Sequence, residues 1–242
     1  MKKLFLIITL FGITIFFSNC KKDTTAPVNN YKCASCKTTP DAIVANDGSS
    51  KGVYKGIVIG STGTIQFNIM NGGSTISAIM VLDGTTINLT ASVAWTAGVS
   101  YVSPFTGTLN GSPVTIQFQV DANGGNPVAI ATNIPGHSTA QLNIAKETSN
   151  ALLECFEGTY ESTRPESGTF NLMVSRSLGK MGGSSRKNGA TTNGDFNGTV
   201  TSDGKLMIDG TNYIGTINGD SIDGTFKDNE GRTITVKGKR TL

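Results

Sequence analysis

A single histidine serves all 242 residues, and that scarcity closes off much of the usual chemistry of hydrolases. A serine-hydrolase triad needs a histidine base between a nucleophile and an acid. His137, the lone histidine, sits in the loop Pro135-Gly136-His137-Ser138 and reads as a structural residue. A structural zinc site takes four nitrogen or sulfur ligands. Beyond Cys33 and Cys36 the mature chain offers only Cys155 and His137, and no metal site is expected. Residues 121–126 start like a calcium loop, but Thr132 stands where the bidentate glutamate belongs, which leaves a hairpin turn. Phosphate-binding and dinucleotide glycine fingerprints are missing. Paired carboxylates for glycoside chemistry need facing positions, whereas Asp220 with Asp223, and Asp228 with Glu230, lie beside tight turns. These absences point away from an enzyme and from any cofactor.

Charge is scarce in one half only. Between residues 56 and 145 the charged side chains are Asp83 and Asp121, whereas residues 146–242 carry twelve basic and twelve acidic groups. The first stretch must keep its wet faces with Thr, Ser, Asn and Gln, a surface suited to an uncharged glycan or to another protein. One Trp and five Tyr cannot supply the two aromatic girdles of a membrane-spanning barrel.

What is present is strand alternation. Ile65, Phe67 and Ile69 point one way while Thr64, Gln66 and Asn68 point the other. Ile87, Leu89, Ala91, Val93 and Trp95 line one face of the next long segment. Val114, Ile116, Phe118 and Val120 do so again, as do Phe170, Leu172 and Val174, and then Ile234 and Val236. Period two over such lengths means half-buried antiparallel strands. Asn110-Gly111 and Asn218-Gly219 each fall between alternating runs, the strongest short hairpin signal, and a type I′ turn is expected at both. The fold class is therefore all-β, with hairpin-connected sheets forming a sandwich or small barrel. On this reading Trp95 belongs to a core face, with sugar stacking or protein anchoring as its other possible use.

Two blocks recur in order. Gly52, Tyr54, Gly63 and Thr64 correspond to Gly158, Tyr160, Gly168 and Thr169. Phe105, Gly107, Thr108, Asn110 and Gly111 correspond to Tyr213, Gly215, Thr216, Asn218 and Gly219. The offsets are 105 to 108 residues, which suits two copies of a β module of about seven strands each. The expected organisation is a leader at 1–19, a tether at 20–50, one module at 51–146 and a second at 147–242. Residues 147–154 have the best helical composition of the mature chain and should form a helix joining the copies, with 40–47 as a shorter counterpart. Residues 176–194, rich in Gly, Ser and basic side chains, break the alternation and are expected to be a loop.

The first twenty residues supply an address. Met1-Lys2-Lys3 is a basic start, residues 4–17 are an uncharged apolar run, and Ser18-Asn19-Cys20 leads into Lys21-Lys22-Asp23. Such a segment is a secretory signal, and its apolar run is shorter than a membrane span. With a cysteine at the cut it resembles the signal of bacterial lipoproteins, with Phe17 and Asn19 in place of the more usual Leu and Gly or Ala. The resemblance implies lipidation of Cys20, anchoring by the N-terminal lipid and, with Lys21 following, the outer membrane of the cell envelope. Removing residues 1–19 takes away Lys2 and Lys3, leaving 18 basic against 17 acidic residues, and no nucleic-acid partner is expected.

Export to an oxidising compartment favours bridges over redox catalysis for Cys33, Cys36 and Cys155. A thioredoxin-type CxxC would open a helix after a strand, and Cys33-Ala-Ser-Cys36 precedes every strand. A bridge from this pair to Cys155 would close about 120 residues, worth about 5 kcal/mol by chain entropy, and is favoured over the local Cys33–Cys36 bridge. The expected function is a non-enzymatic, membrane-anchored envelope module binding a glycan or an envelope or host protein. The alternative is a carrier of a small apolar ligand in a barrel pocket, and a thiol-redox factor comes third.

Overall fold

A computed structural model describes residues 31–242; the leader, Cys20 and its lipidation lie outside the described residues. Sixteen strands follow a single 3-10 turn at Val44–Asn46. The first eight are β1 (Gly52–Ile59), β2 (Gly63–Ile69), β3 (Ile76–Leu82), β4 (Thr85–Ala91), β5 (Tyr101–Leu109), β6 (Ser112–Val120), β7 (Val128–Asn133) and β8 (Gln141–Glu147). The second eight are β9 (Glu154–Ser162), β10 (Glu166–Ser175), β11 (Lys180–Lys187), β12 (Gly194–Val200), β13 (Lys205–Ile208), β14 (Asn212–Asn218), β15 (Ser221–Lys227) and β16 (Thr233–Arg240). Each set is an antiparallel up-and-down meander, as the all-β, two-module expectation requires. The second closes fully, with β16 pairing back to β9. The first curls until β8 pairs with β1, and β7 and β8 approach without a hydrogen-bonded ladder between them.

Alternation predicts the inward faces well. Ile65, Phe67, Ile69, Ile87, Leu89, Val114, Ile116, Phe118 and Val120 are all buried in the core of the first barrel. The Asn110-Gly111 turn has positive φ at both central positions (50° and 81°), the type I′ pattern. The second turn shifts by one residue: Asn218 pairs with Ser221, so Gly219 (φ 60°) and Asp220 are the central pair. Only the first of them has positive φ, which is the type II′ pattern.

Strand positions also refine the repeat. Its first block maps β1 and β2 onto β9 and β10. Its second block maps the β5–β6 hairpin onto β14–β15, one strand further round the barrel. In a meander, β5 and β14 run in opposite directions, so the second likeness is one of hairpin chemistry rather than of place. Each barrel has eight strands where about seven were expected.

Three local expectations are corrected. The expected helix at 147–154 is absent: β8 runs through Glu147, a Thr148–Ala151 bridge turns the chain, and β9 starts at Glu154. Tertiary contacts override propensity there, because Glu147 accepts hydrogen bonds from the backbone N–H groups of Asp41 (2.7 Å) and Leu153 (3.0 Å). The middle of the basic stretch at 176–194 is strand β11 (Lys180–Lys187), with turns on either side. Gly183 lets that strand lie close to its neighbours, since a Cβ there would stand 2.3 Å from the Asn171 carbonyl oxygen. The strand ending in Trp95 stops at Ala91.

The barrels pack side by side through β1, which is buried along its whole length. Tyr54 and Val58 enter the first barrel's core, while Ile57 and Ile59 meet Cys155, Met173 and Leu242 on the second. Lys55 lies in the same contact, 2.5 Å from Glu147, both fully buried. The N-terminal segment lies against both barrels: Tyr31 donates to the Arg240 carbonyl, Cys33 N–H to Asp220, and Lys146 holds the carbonyls of Asn46, Asp47 and Ser49.

Candidate functional site: the lumen of the second barrel

Eight strands enclose a lumen that side chains can just fill, or that can hold one small ligand. The two barrels realise the two cases. In the first, bulky inward residues face one another across the ladder: Tyr54 opposite Phe67, Ile65 opposite Met80, Phe105 opposite Ile116. Phe67 stacks on Phe118 at 4.4 Å between ring centroids, and Tyr54 and Phe105 meet Phe118 edge-on.

In the second barrel, inward bulk faces glycine instead. Phe170 lies opposite Gly158, Leu172 and Phe196 opposite Gly183, Met181 opposite Gly198, and Ile222 opposite Gly238. The volume not supplied by those glycines remains as a cavity of about 260 Å³. Phe170, Leu172, Phe196, Leu206, Ile214 and Ile222 are among its lining residues. Phe156, Val174, Val200 and Ile217 are buried in the same core. They fill the end nearest the chain terminus, which leaves the cavity toward the β9–β10 and β15–β16 turns.

Four polar side chains line the cavity: Tyr160, Glu166, Ser185 and Asp228. Asp228 accepts from the backbone N–H groups of Glu230 (3.0 Å) and Arg232 (2.9 Å) and from Arg232 Nε (2.5 Å). Burial opposes its charge, but these hydrogen bonds, Arg232 foremost, outweigh it and hold the carboxyl below the usual carboxylate range. Glu166 is held less tightly, with Lys187 Nζ at 3.4 Å and Arg232 Nη1 at 3.5 Å. Burial, then the charge of Glu166 and a hydrogen bond to it, push the Tyr160 phenol upward. The result is an apolar pocket with a polar rim, the general form of a small-molecule site.

The other residues singled out in the sequence lie elsewhere. Cys33 and Cys36 are bonded to each other, Cα atoms 5.4 Å apart, in the segment docked on the second barrel's filled end. The favoured bridge to Cys155 is not formed. Cys155 faces the inter-barrel contact, its thiol directed at the Gly56 carbonyl, and burial pushes that thiol up to about 12. A thiol so far from ionisation is inert toward exchange. Trp95 is engaged by the protein: its indole N–H donates to Ser50 Oγ at 2.8 Å, and Lys51 Nζ sits 4.2 Å from the ring centroid. His137 faces Asp83 at 3.5 Å. Among the described residues no group of three or more His, Cys, Asp or Glu is arranged to hold a metal ion.

No family model, curated protein or solved structure matches this chain. Function must be argued from the site itself. The sequence places Phe170, Leu172, Ile234 and Val236 on inward faces but suggests a barrel pocket only as an alternative and assigns none of these residues to it. The signal was there in part, as glycines at alternating positions of strands whose other inward residues are bulky (Gly158 and Tyr160, Gly168 and Phe170).

Proposed function

We propose that this chain is a non-enzymatic, lipid-anchored binding protein of the bacterial cell envelope whose second barrel carries a small apolar ligand. The observation that supports the carrier reading is the cavity of about 260 Å³, lined mainly by Phe, Leu and Ile and closed at one end. At about 30 Å³ per water-sized group it holds roughly nine such groups, the size of a short alkyl chain with a head group. The first described residue, Tyr31, is bonded to Arg240 at the filled end of this barrel.

Two measurements test this reading. Octanol added to the purified protein is expected to raise its melting temperature in a concentration-dependent way, and an Ile208→Phe variant, which intrudes on the cavity, is expected to lose that response. An unchanged melting temperature for the parent protein would end the carrier reading. Intact-mass analysis of protein from the membrane fraction is expected to show a chain starting at Cys20 with added acyl mass. A chain that keeps residues 1–19 would contradict the anchor.

A second reading rests on the outside of the first barrel, where Ile79, Val102, Val128 and Ile130 are exposed among neutral Thr, Asn and Gln. This face suits a glycan or an envelope or host protein. Glycan-array binding that fails when Ile79 and Ile130 are changed to Asp would support it, and an empty array would count against the glycan.

A further inference from the structure

Building on the carrier reading, we infer that the second barrel's cavity takes the alkyl chain of a primary amine and refuses a free carboxylate. The rim's charges are Glu166 on β10, Lys187 on β11, Arg164 in the β9–β10 turn, Asp209 in the β13–β14 turn, Lys227 at the end of β15, and Asp228, Glu230 and Arg232 in the β15–β16 turn. They balance in number, but they do not face the lumen equally. Glu166 and Asp228 line the cavity, whereas Arg164, Lys187, Glu230 and Arg232 do not. A ligand head inside therefore meets the carboxylates, the Tyr160 phenol and the Ser185 hydroxyl first, with Arg232 and Lys187 behind them as partners of those carboxylates.

The two lining carboxylates differ in how fully they are engaged. Asp228 has a 2.5 Å contact with Arg232 and two backbone donors. Glu166 has cation contacts of 3.4 and 3.5 Å, both on Oε2, and one of them is from Lys187, a largely exposed side chain. Glu166 also takes the Tyr160 hydroxyl, but with no cation closer than 3.4 Å it is the less fully engaged of the two. An alkylammonium presents three donors and no acceptor, which suits Glu166 with the Tyr160 and Ser185 oxygens beside it. A carboxylate head would set like charge against Glu166 in a partly desolvated site, where opposition of charge is costly. An alcohol falls between the two.

The test compares three eight-carbon ligands on the purified protein at pH 7.5: octylamine, octanol and octanoate, read by calorimetry and by methyl NMR shifts of Leu172, Leu206 and Ile222. A charge-assisted hydrogen bond predicts octylamine tighter than octanol by about ten-fold, with octanoate weaker than octanol. Octanoate binding as tightly as octylamine would overturn the inference while leaving the carrier reading intact. Failure of all three to shift the lumen methyls would remove both. Glu166→Gln is expected to bring the three affinities together, and full retention of the amine preference would show that Glu166 does not set it. If that variant does not fold, the ranking on the parent protein still decides.

Discussion

The two barrels share strand number and up-and-down order, yet one is filled and the other hollow. The first has inward glycines too (Gly56, Gly63 and Gly107), but elsewhere sets bulk against bulk, and four aromatic rings occupy its lumen. The second sets bulk against glycine, and the missing side chains leave about 260 Å³ of space. Closure does not by itself decide which barrel is hollow: the fully hydrogen-bonded one holds the cavity, while the one with a seam between β7 and β8 is packed. What decides is the pairing of inward side chains. The outer surfaces differ as well. The filled barrel has few charges, and the hollow one carries ion pairs at its rim (Arg232–Asp228, Lys187–Glu166), at its filled end (Arg176–Glu154, Arg240–Asp220) and along its strands (Lys239–Glu157).

The comparison can be broken at several points, and the largest effect is expected where the barrels meet. Lys55→Ala would leave Glu147 buried without its cation, and removing one partner of such a pair costs about 3–5 kcal/mol, measurable by chemical denaturation. A loss below about 1 kcal/mol would mean that the contact is not the rigid join described here. Next comes the filled core. Phe118→Ala should cost about 3–5 kcal/mol, and Phe170→Ala should fall at or below the low end of that range because its ring already borders empty space. The reverse order would contradict the contrast between the lumens.

The alkaline limb of stability probes the inter-barrel contact through Cys155. Burial pushes the folded thiol from its ordinary value of 9.0 up to about 12. Between those values the folded chain keeps a proton that the unfolded chain releases, so stability falls with rising pH, by up to about 1.4 kcal/mol per pH unit. Cys155→Val should flatten this limb relative to the parent; the buried Tyr54 phenol, also pushed up by desolvation, acts in both proteins and cancels in the difference. Identical limbs would place the thiol in water. A smaller effect is expected from the local disulfide. Cys33→Ser with Cys36→Ser opens a loop of a few residues, worth about 1–2 kcal/mol by chain entropy, whereas a bridge to Cys155 would have been worth about 5. The smallest change belongs to the cavity. Ile208→Phe should cost less than about 1 kcal/mol, and Ile116→Phe in the filled barrel about 1–3.

Much of this architecture was legible in period-two alternation, because each half-buried strand records its inward face residue by residue. Strand β1 was harder to read. Its sequence, Val53-Tyr54-Lys55-Gly56-Ile57-Val58-Ile59, is nearly continuous in apolar character since both faces are covered, one by its own barrel and one by the other. The false helix at 147–154 shows propensity losing to Glu147, whose carboxylate organises the crossover. Strand β11 was obscured because Gly182-Gly183-Ser184-Ser185 has poor strand propensity, and its glycines are what close packing demands. The cavity lay furthest from the sequence. It is a difference between lumen volume and side-chain volume, and it emerges only once cross-strand register says which glycine faces which ring.

Methyl NMR during an octanol titration tests the central contrast most directly. The account predicts saturable shifts at Leu172, Leu206 and Ile222 in the second barrel, and still resonances at Ile65, Leu89 and Ile116 in the first. Equal shifts in both barrels, or none in the second, would contradict it.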